Sequence, residues 1–159
     1  MRVKNTGGFV ICGIACLWVL FDFINLKTFS FLKTQPYLYA IYWLAGYRLL
    51  AIILFGYVGF CGVLLGYILS SIFLRGFMLN DAIWLGLLSS GSTLIGYKIW
   101  QKISRKNNAF NSVSFVDLFY LVFLTSLLTS IFRSAYIITF IDKDYSIGLL
   151  FGTLAANIS

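Results

Sequence analysis

The chain has 159 residues, 60% of them hydrophobic and 11% charged, with a mean hydropathy of +0.92 and a net charge of +7. Soluble domains carry about 25% charged residues, so this composition excludes an ordinary water-solvated fold and matches a bilayer instead. The basic residues lie mostly at the ends of apolar runs, as the positive-inside rule produces, so nucleic acid is not expected as a partner.

Met1–Gly8 is short, polar and basic through Arg2 and Lys4. The apolar run Phe9–Leu26 is bulky and has no small-residue cleavage site after it, so it reads as an uncleaved helix rather than a signal peptide. Asp22 sits near its far end, followed by Asn25 and Lys27, and reads as an interfacial residue facing headgroups, with an intramembrane role as the alternative. Lys27–Pro36 is a linker, and Pro36 suits the first turn of a helix, where its missing N–H costs nothing.

Tyr37–Leu74 then runs for thirty-eight residues with one charge, Arg48. One crossing needs about 20 residues, so the stretch predicts two helices, Tyr37–Phe55 and Val58–Leu74, joined by a turn around Gly56 and Gly59. Gly56, Gly59, Gly62 and Gly66 are spaced by three or four and form a face on which another backbone can approach closely. A cation inside an apolar run costs roughly 2.5–3.5 kcal/mol on insertion scales, so Arg48 calls for a partner. Asp22, Asp117, a backbone carbonyl, or an acidic group on a ligand or neighbouring protein all qualify. Snorkelling toward an interface is the structural alternative.

Arg75–Asp81 is a short connection, and a fourth helix is predicted over Ala82–Trp100. Its small-residue cluster Ser89-Ser90-Gly91-Ser92-Thr93 is either a helix-packing seam or the lining of a polar cavity. Trp84 and Trp100 near its ends fit an aromatic belt, and Lys98, Lys102, Arg105 and Lys106 form the densest basic segment. A fifth helix is predicted from Val113, with Asp117 in the first turn, where the helix dipole favours a carboxylate. This run continues to Ile141 with Arg133 inside it, long enough to tilt or to break near Arg133. Asp142–Asp144 reads as a polar turn, and Tyr145–Ile158 is short for a crossing.

Catalytic readings lack their residues. The chain has no His and no Glu, which removes the usual general base near neutral pH and the commonest metal ligand. A nucleophile elbow, a P-loop and a dinucleotide fingerprint are also missing. Cys12, Cys16 and Cys61 lie inside apolar runs and read as small buried side chains. The expectation is therefore a non-enzymatic protein with no metal and no cofactor.

The segment Trp43-Leu-Ala-Gly46-Tyr-Arg48, followed by Leu54-Phe-Gly56, Gly62 and Gly66, resembles the first type of membrane-associated sensor domain. This multi-helix bacterial module precedes kinase or cyclic-dinucleotide domains. The Gly/Ser/Thr-rich helix ending in basic residues, Leu85–Lys106, is similar as well, while the family's proline before the Ala-Gly pair is Leu44 here. The resemblance covers about residues 37–140 and implies a sensory module which, with no output domain in this sequence, would work through a separate signalling protein.

Taken together, the sequence predicts one all-α domain over residues 1–159, a polytopic integral membrane bundle of five to six transmembrane helices in a bacterial inner membrane, with the N-terminus cytoplasmic. Its expected partners are membrane lipid and other membrane protein subunits or a signalling protein. Its expected role is a sensor-like module or an accessory subunit; the alternative is a small-substrate binding component of a transporter. The candidate ligand or partner residues are Arg48, Asp22, Asp117 and Arg133. The candidate helix-packing residues are Gly56, Gly59, Gly62, Gly66 and Gly91.

Overall fold

A computed structural model of the chain describes residues 6–28, 33–35, 38–39, 44–104 and 115–141. The helices are α1 (Thr6–Thr28), α2 (Leu44–Phe55), α3 (Tyr57–Phe73), α4 (Leu79–Ser104) and α5 (Phe115–Tyr136). α5 passes directly into a π-helical turn, Ile137–Ile141, and a small antiparallel pairing joins β1 (Lys33–Gln35) to β2 (Leu38–Tyr39). The helix therefore runs unbroken through Arg133. Asp142–Asp144 and Tyr145–Ile158 lie outside the described residues.

The second helix begins at Leu44, not at Tyr37, and Leu38–Tyr39 is strand instead. Local chemistry explains the difference. Gln35 precedes a proline, which disfavours the α region for it, and tyrosine prefers extended backbone. The shortened α2 ends at Gly56, whose φ of 58° and ψ of −125° are open to glycine and to few other residues. Gly56 N–H still donates to Ile52 O (2.8 Å) while Gly56 O accepts from Phe60 N–H (3.0 Å), so one residue ends one helix and begins the next.

Contacts along the helices fix their directions. Gly62 meets Ile14, Gly66 meets Trp18, Trp18 Nε1 donates to Ser70 Oγ (3.3 Å) and Arg75 reaches Asp22, so α1 and α3 run parallel. α3 and α4 are antiparallel, with Gly86 against Tyr67 and Lys98 Nζ 5.7 Å from the centre of the Tyr57 ring. α4 and α5 are antiparallel too: Gly96 meets Thr125, Ser92 Oγ lies 2.8 Å from Thr129 Oγ1, and Tyr136 Oη donates to Asp81 Oδ1 (3.1 Å). α2 runs against α1 and α3, from beside Asn25 down to the close contact of Ala51 with Gly59. The bundle is thus up-down-up-down-up. The start of α1, the Gly56 turn and the end of α4 share one end; the Asp22–Arg75 pair and the start of α4 share the other.

By length and composition, two helices among the described residues are able to cross a membrane, Gly7–Thr28 and Phe115–Phe140, rather than the five or six expected. α2 and α3 are apolar, but their 12 and 17 residues rise only about 18 and 25 Å against a hydrocarbon core of about 30 Å. The tyrosine-rich segment counted as helix is partly strand, and the Gly56 turn uses no residues beyond one.

A polar layer is buried inside the bundle beneath many exposed large apolar side chains, unlike in a water-soluble bundle. The buried face of α5 is Leu121, Thr125, Ser126, Thr129, Ser130, Arg133 and Ser134, while Phe115, Phe119, Phe123 and Phe132 are exposed. α4 buries Ser89, Ser90, Ser92 and Thr93 and exposes Trp84, Leu87, Ile95 and Ile99. Apolar packing flanks this polar layer, around Trp18, Val63, Tyr67 and Leu85 on one side and around Ile52, Tyr97, Trp100 and Leu121 on the other. The three cysteines are exposed, not buried. Cys12 and Cys16 point away because α1 meets α3 through Ile11, Ile14, Ala15 and Trp18.

Candidate functional site

The polar layer is built from two helices whose small hydroxyl residues recur at spacings of four, which keeps them on one face. Small side chains let the helices approach: a Cβ placed on Gly96 would lie 2.8 Å from Thr125 Cγ2. Most of the hydroxyls donate to carbonyls of their own helix. Ser90 donates to Gly86 O (2.6 Å), Thr93 to Ser89 O (3.0 Å), Thr125 to Leu121 O (2.9 Å) and Thr129 to Thr125 O (2.8 Å). With their protons directed at the backbone, the oxygens turn lone pairs inward.

Arg48 is their complement, with five donors and no acceptor. It comes from α2, is 3% exposed, and donates through Nη1 to Ser89 Oγ and through Nη2 to Thr129 Oγ1 (3.4 Å). One side chain therefore ties α2 to both α4 and α5. Thr129 is itself bridged to Ser92, so the guanidinium, the serine and threonine oxygens on facing helices, and the backbone of α5 form one connected network. Arg133 follows Thr129 by one turn on the same face and is buried at 7% exposure. Two cations thus sit along a hydroxyl-lined seam, and among the described residues no group of His, Cys, Asp or Glu could hold a metal.

The carboxylates proposed as partners of Arg48 are elsewhere. Asp22 is fully buried, not interfacial, and pairs with Arg75 at 2.6 Å across the parallel α1–α3 contact. Asp117 lies in the first turn of α5, twelve residues or about 18 Å of helix from Thr129. The structure thus brings Arg48 and Arg133 to one seam and leaves Asp22 and Asp117 out of it. Arg75, assigned to a connection, is the residue sequence reasoning missed. The hydroxyl repeat of α5, opposite its phenylalanines, was the legible signal for Thr129.

The glycines divide in the same way. A Cβ on Gly59 would collide with the Ala51 carbonyl, on Gly62 it would lie 2.7 Å from Ile14 Cβ, and on Gly66 2.6 Å from Trp18 Cβ. Gly56 serves the turn and Gly91 has nothing within 4 Å, so neither is a packing residue. Gly86 and Gly96 take that role on α4.

No protein-family model, curated protein or solved structure matches this chain.

Proposed function

We propose that the protein is a non-enzymatic, multi-pass membrane protein that acts by binding partners within the bilayer, as a sensor-like module or an accessory subunit of a larger complex. The observation that carries this reading is the buried polar layer: serines, threonines and two arginines lie inside, under an exterior rich in exposed phenylalanine, leucine and isoleucine. Water would favour the opposite arrangement, whereas lipid solvates the apolar surface and leaves the polar groups to satisfy one another. The support for partner binding is the resemblance of Trp43–Arg48, Gly56, Gly62 and Gly66 to a sensory module that works through another protein. The five helices then act as five crossings in a bacterial inner membrane with the N-terminus in the cytoplasm.

Two measurements test it. In membranes washed with alkaline carbonate the protein is expected in the pellet, and release into the supernatant would overturn the membrane reading. In a mild detergent, chemical cross-linking and mass spectrometry are expected to recover defined membrane or signalling partners. Recovery of the protein alone would remove the partner-binding role. A second reading, a transporter component binding a small anionic substrate, is favoured by the placement of Arg48 and Arg133 along one hydroxyl-lined seam.

A further inference from the structure

The end of the bundle that holds the Gly56 turn also holds the last turns of α4, and together they present a patch of mixed chemistry. Ile95, Ile99 and Ile103 recur every fourth residue and are 50%, 39% and 73% exposed. Lys98 and Lys102 stand beside them, also exposed, so one outward face of α4 alternates isoleucine and lysine. Tyr57, the first residue of α3, closes the patch from the neighbouring helix. Lys98 Nζ lies 5.7 Å from the centre of its ring, within reach of a cation–π contact.

Neither lysine has a carboxylate partner among the described residues. The other end of the bundle differs. There Arg75 is taken up by Asp22, and Lys27 rests over Phe23 of its own helix, 5.6 Å from the ring centre. Tyr57 also marks depth. The α2–α3 hairpin turns back at Gly56, so Lys98 stands where the apolar layer ends, and Lys102 lies one turn, about 5 Å, further out. In a bilayer, the headgroup region begins at this level.

We propose that this patch is a binding site for one anionic phospholipid. The two ammonium groups meet the phosphate as point charges with hydrogen-bond donors, and the isoleucine stripe takes the first part of an acyl chain. A zwitterionic headgroup brings its own cation up to the lysines and gains less than a headgroup of net negative charge. The isoleucines select a lipid over a free phosphate as the occupant. The site rests on the membrane reading, which the carbonate wash tests separately: a protein that pellets with the membrane yet shows no headgroup preference sinks the site and leaves that reading standing.

The test uses the full-length protein in nanodiscs of phosphatidylglycerol and phosphatidylcholine in equal parts with matched acyl chains, followed by native mass spectrometry of the lipid that stays bound. Phosphatidylglycerol is expected to be retained in preference, with each lysine contributing about fivefold. Lys98→Gln and Lys102→Gln each lower the preference by about that factor, and the double variant abolishes it with the helical circular dichroism unchanged. Lys27→Gln, at the opposite end, leaves it as it was. Soluble glycerol phosphate, which has the headgroup charge without the chains, is expected not to displace the lipid. A preference that survives the double variant would overturn the assignment. So would an equal loss in Lys27→Gln, which would mean a diffuse surface charge, or displacement by glycerol phosphate, which would mean a plain phosphate site.

Discussion

Two arginines with similar burial are held in different ways, and the difference predicts how each tolerates loss. Arg75 meets a full carboxylate, Asp22, which is completely buried, pairs through Oδ1, and has no partner for Oδ2 among the described residues. Arg48 meets neutral hydroxyls, of which Thr129 has its own backbone acceptor. Removing one member of a buried ion pair strands the other, whereas replacing both by apolar residues removes the whole desolvation cost. Asp22→Leu is therefore expected to lower stability by about 3 kcal/mol, and Asp22→Leu with Arg75→Leu to recover most of it. Unfolding titrations in mixed micelles measure both, and an additive double mutant would show that the two residues are not coupled. The pairing was not legible in the sequence. Asp22 and Arg75 are 53 positions apart and each sits at the end of its run, where a charge needs no explanation. Only the parallel register of α1 and α3 places them together.

Among the elements, α3 is the one that α1, α2 and α4 pack around, and its glycines set how closely α1 and α2 do so. The spacing of Gly59, Gly62 and Gly66 was legible, because glycines three or four apart form one helix face whatever surrounds them. What each one meets was not legible. Gly59 faces the α2 backbone, where an added Cβ would lie only 2.6 Å from the Ala51 carbonyl carbon, whereas Gly62 and Gly66 face α1 side chains. All three meet atoms that move only with a backbone, but the overlap is deepest at Gly59, so the alanine substitutions should rank accordingly. Gly59→Ala is expected to cost about 3 kcal/mol, and Gly62→Ala and Gly66→Ala about 2 kcal/mol each, within the range of overpacked interiors. Gly91→Ala has open space and an ordinary helical backbone, so it should gain up to about 1 kcal/mol from helix propensity. Thermal unfolding of the four variants in detergent gives the order directly, and a Gly59→Ala protein as stable as the parent would show that α2 and α3 do not pack as described. The start of α2 illustrates the opposite case. Hydropathy made Tyr37–Phe55 one helix because it counts apolar residues without regard to backbone preference, and the strand at Leu38–Tyr39 is hydrophobic too.

At the scale of the whole molecule, the number of crossings is where length and packing give different answers. Length and composition select α1 and α5, which would leave everything between them on one side of a bilayer. The proposed five crossings rest on packing instead. α3 lies parallel to α1 from the Gly62–Ile14 contact to the Asp22–Arg75 pair, so a membrane that surrounds α1 over this distance also surrounds α3. Its 17 residues fall about 5 Å short of a typical hydrocarbon core, a mismatch that local thinning or tilt accommodates at modest cost. The two arrangements place Tyr57 and Met78 differently. Both are well exposed, Tyr57 at 67% beside the Gly56 turn and Met78 at 78% just before α4. In a five-crossing bundle with a cytoplasmic N-terminus, Tyr57 faces the cytoplasm, together with Lys98 near it, and Met78 faces the opposite side. In a two-crossing protein both face the same side. Tyr57→Cys and Met78→Cys, each made in a Cys12→Ala, Cys16→Ala, Cys61→Ala background, can be treated in spheroplasts with a membrane-impermeant maleimide. Met78→Cys is expected to react at once and Tyr57→Cys only after the membrane is opened. Equal reaction of both would sink the five-crossing arrangement, and the reverse pattern would keep the crossings but invert the orientation.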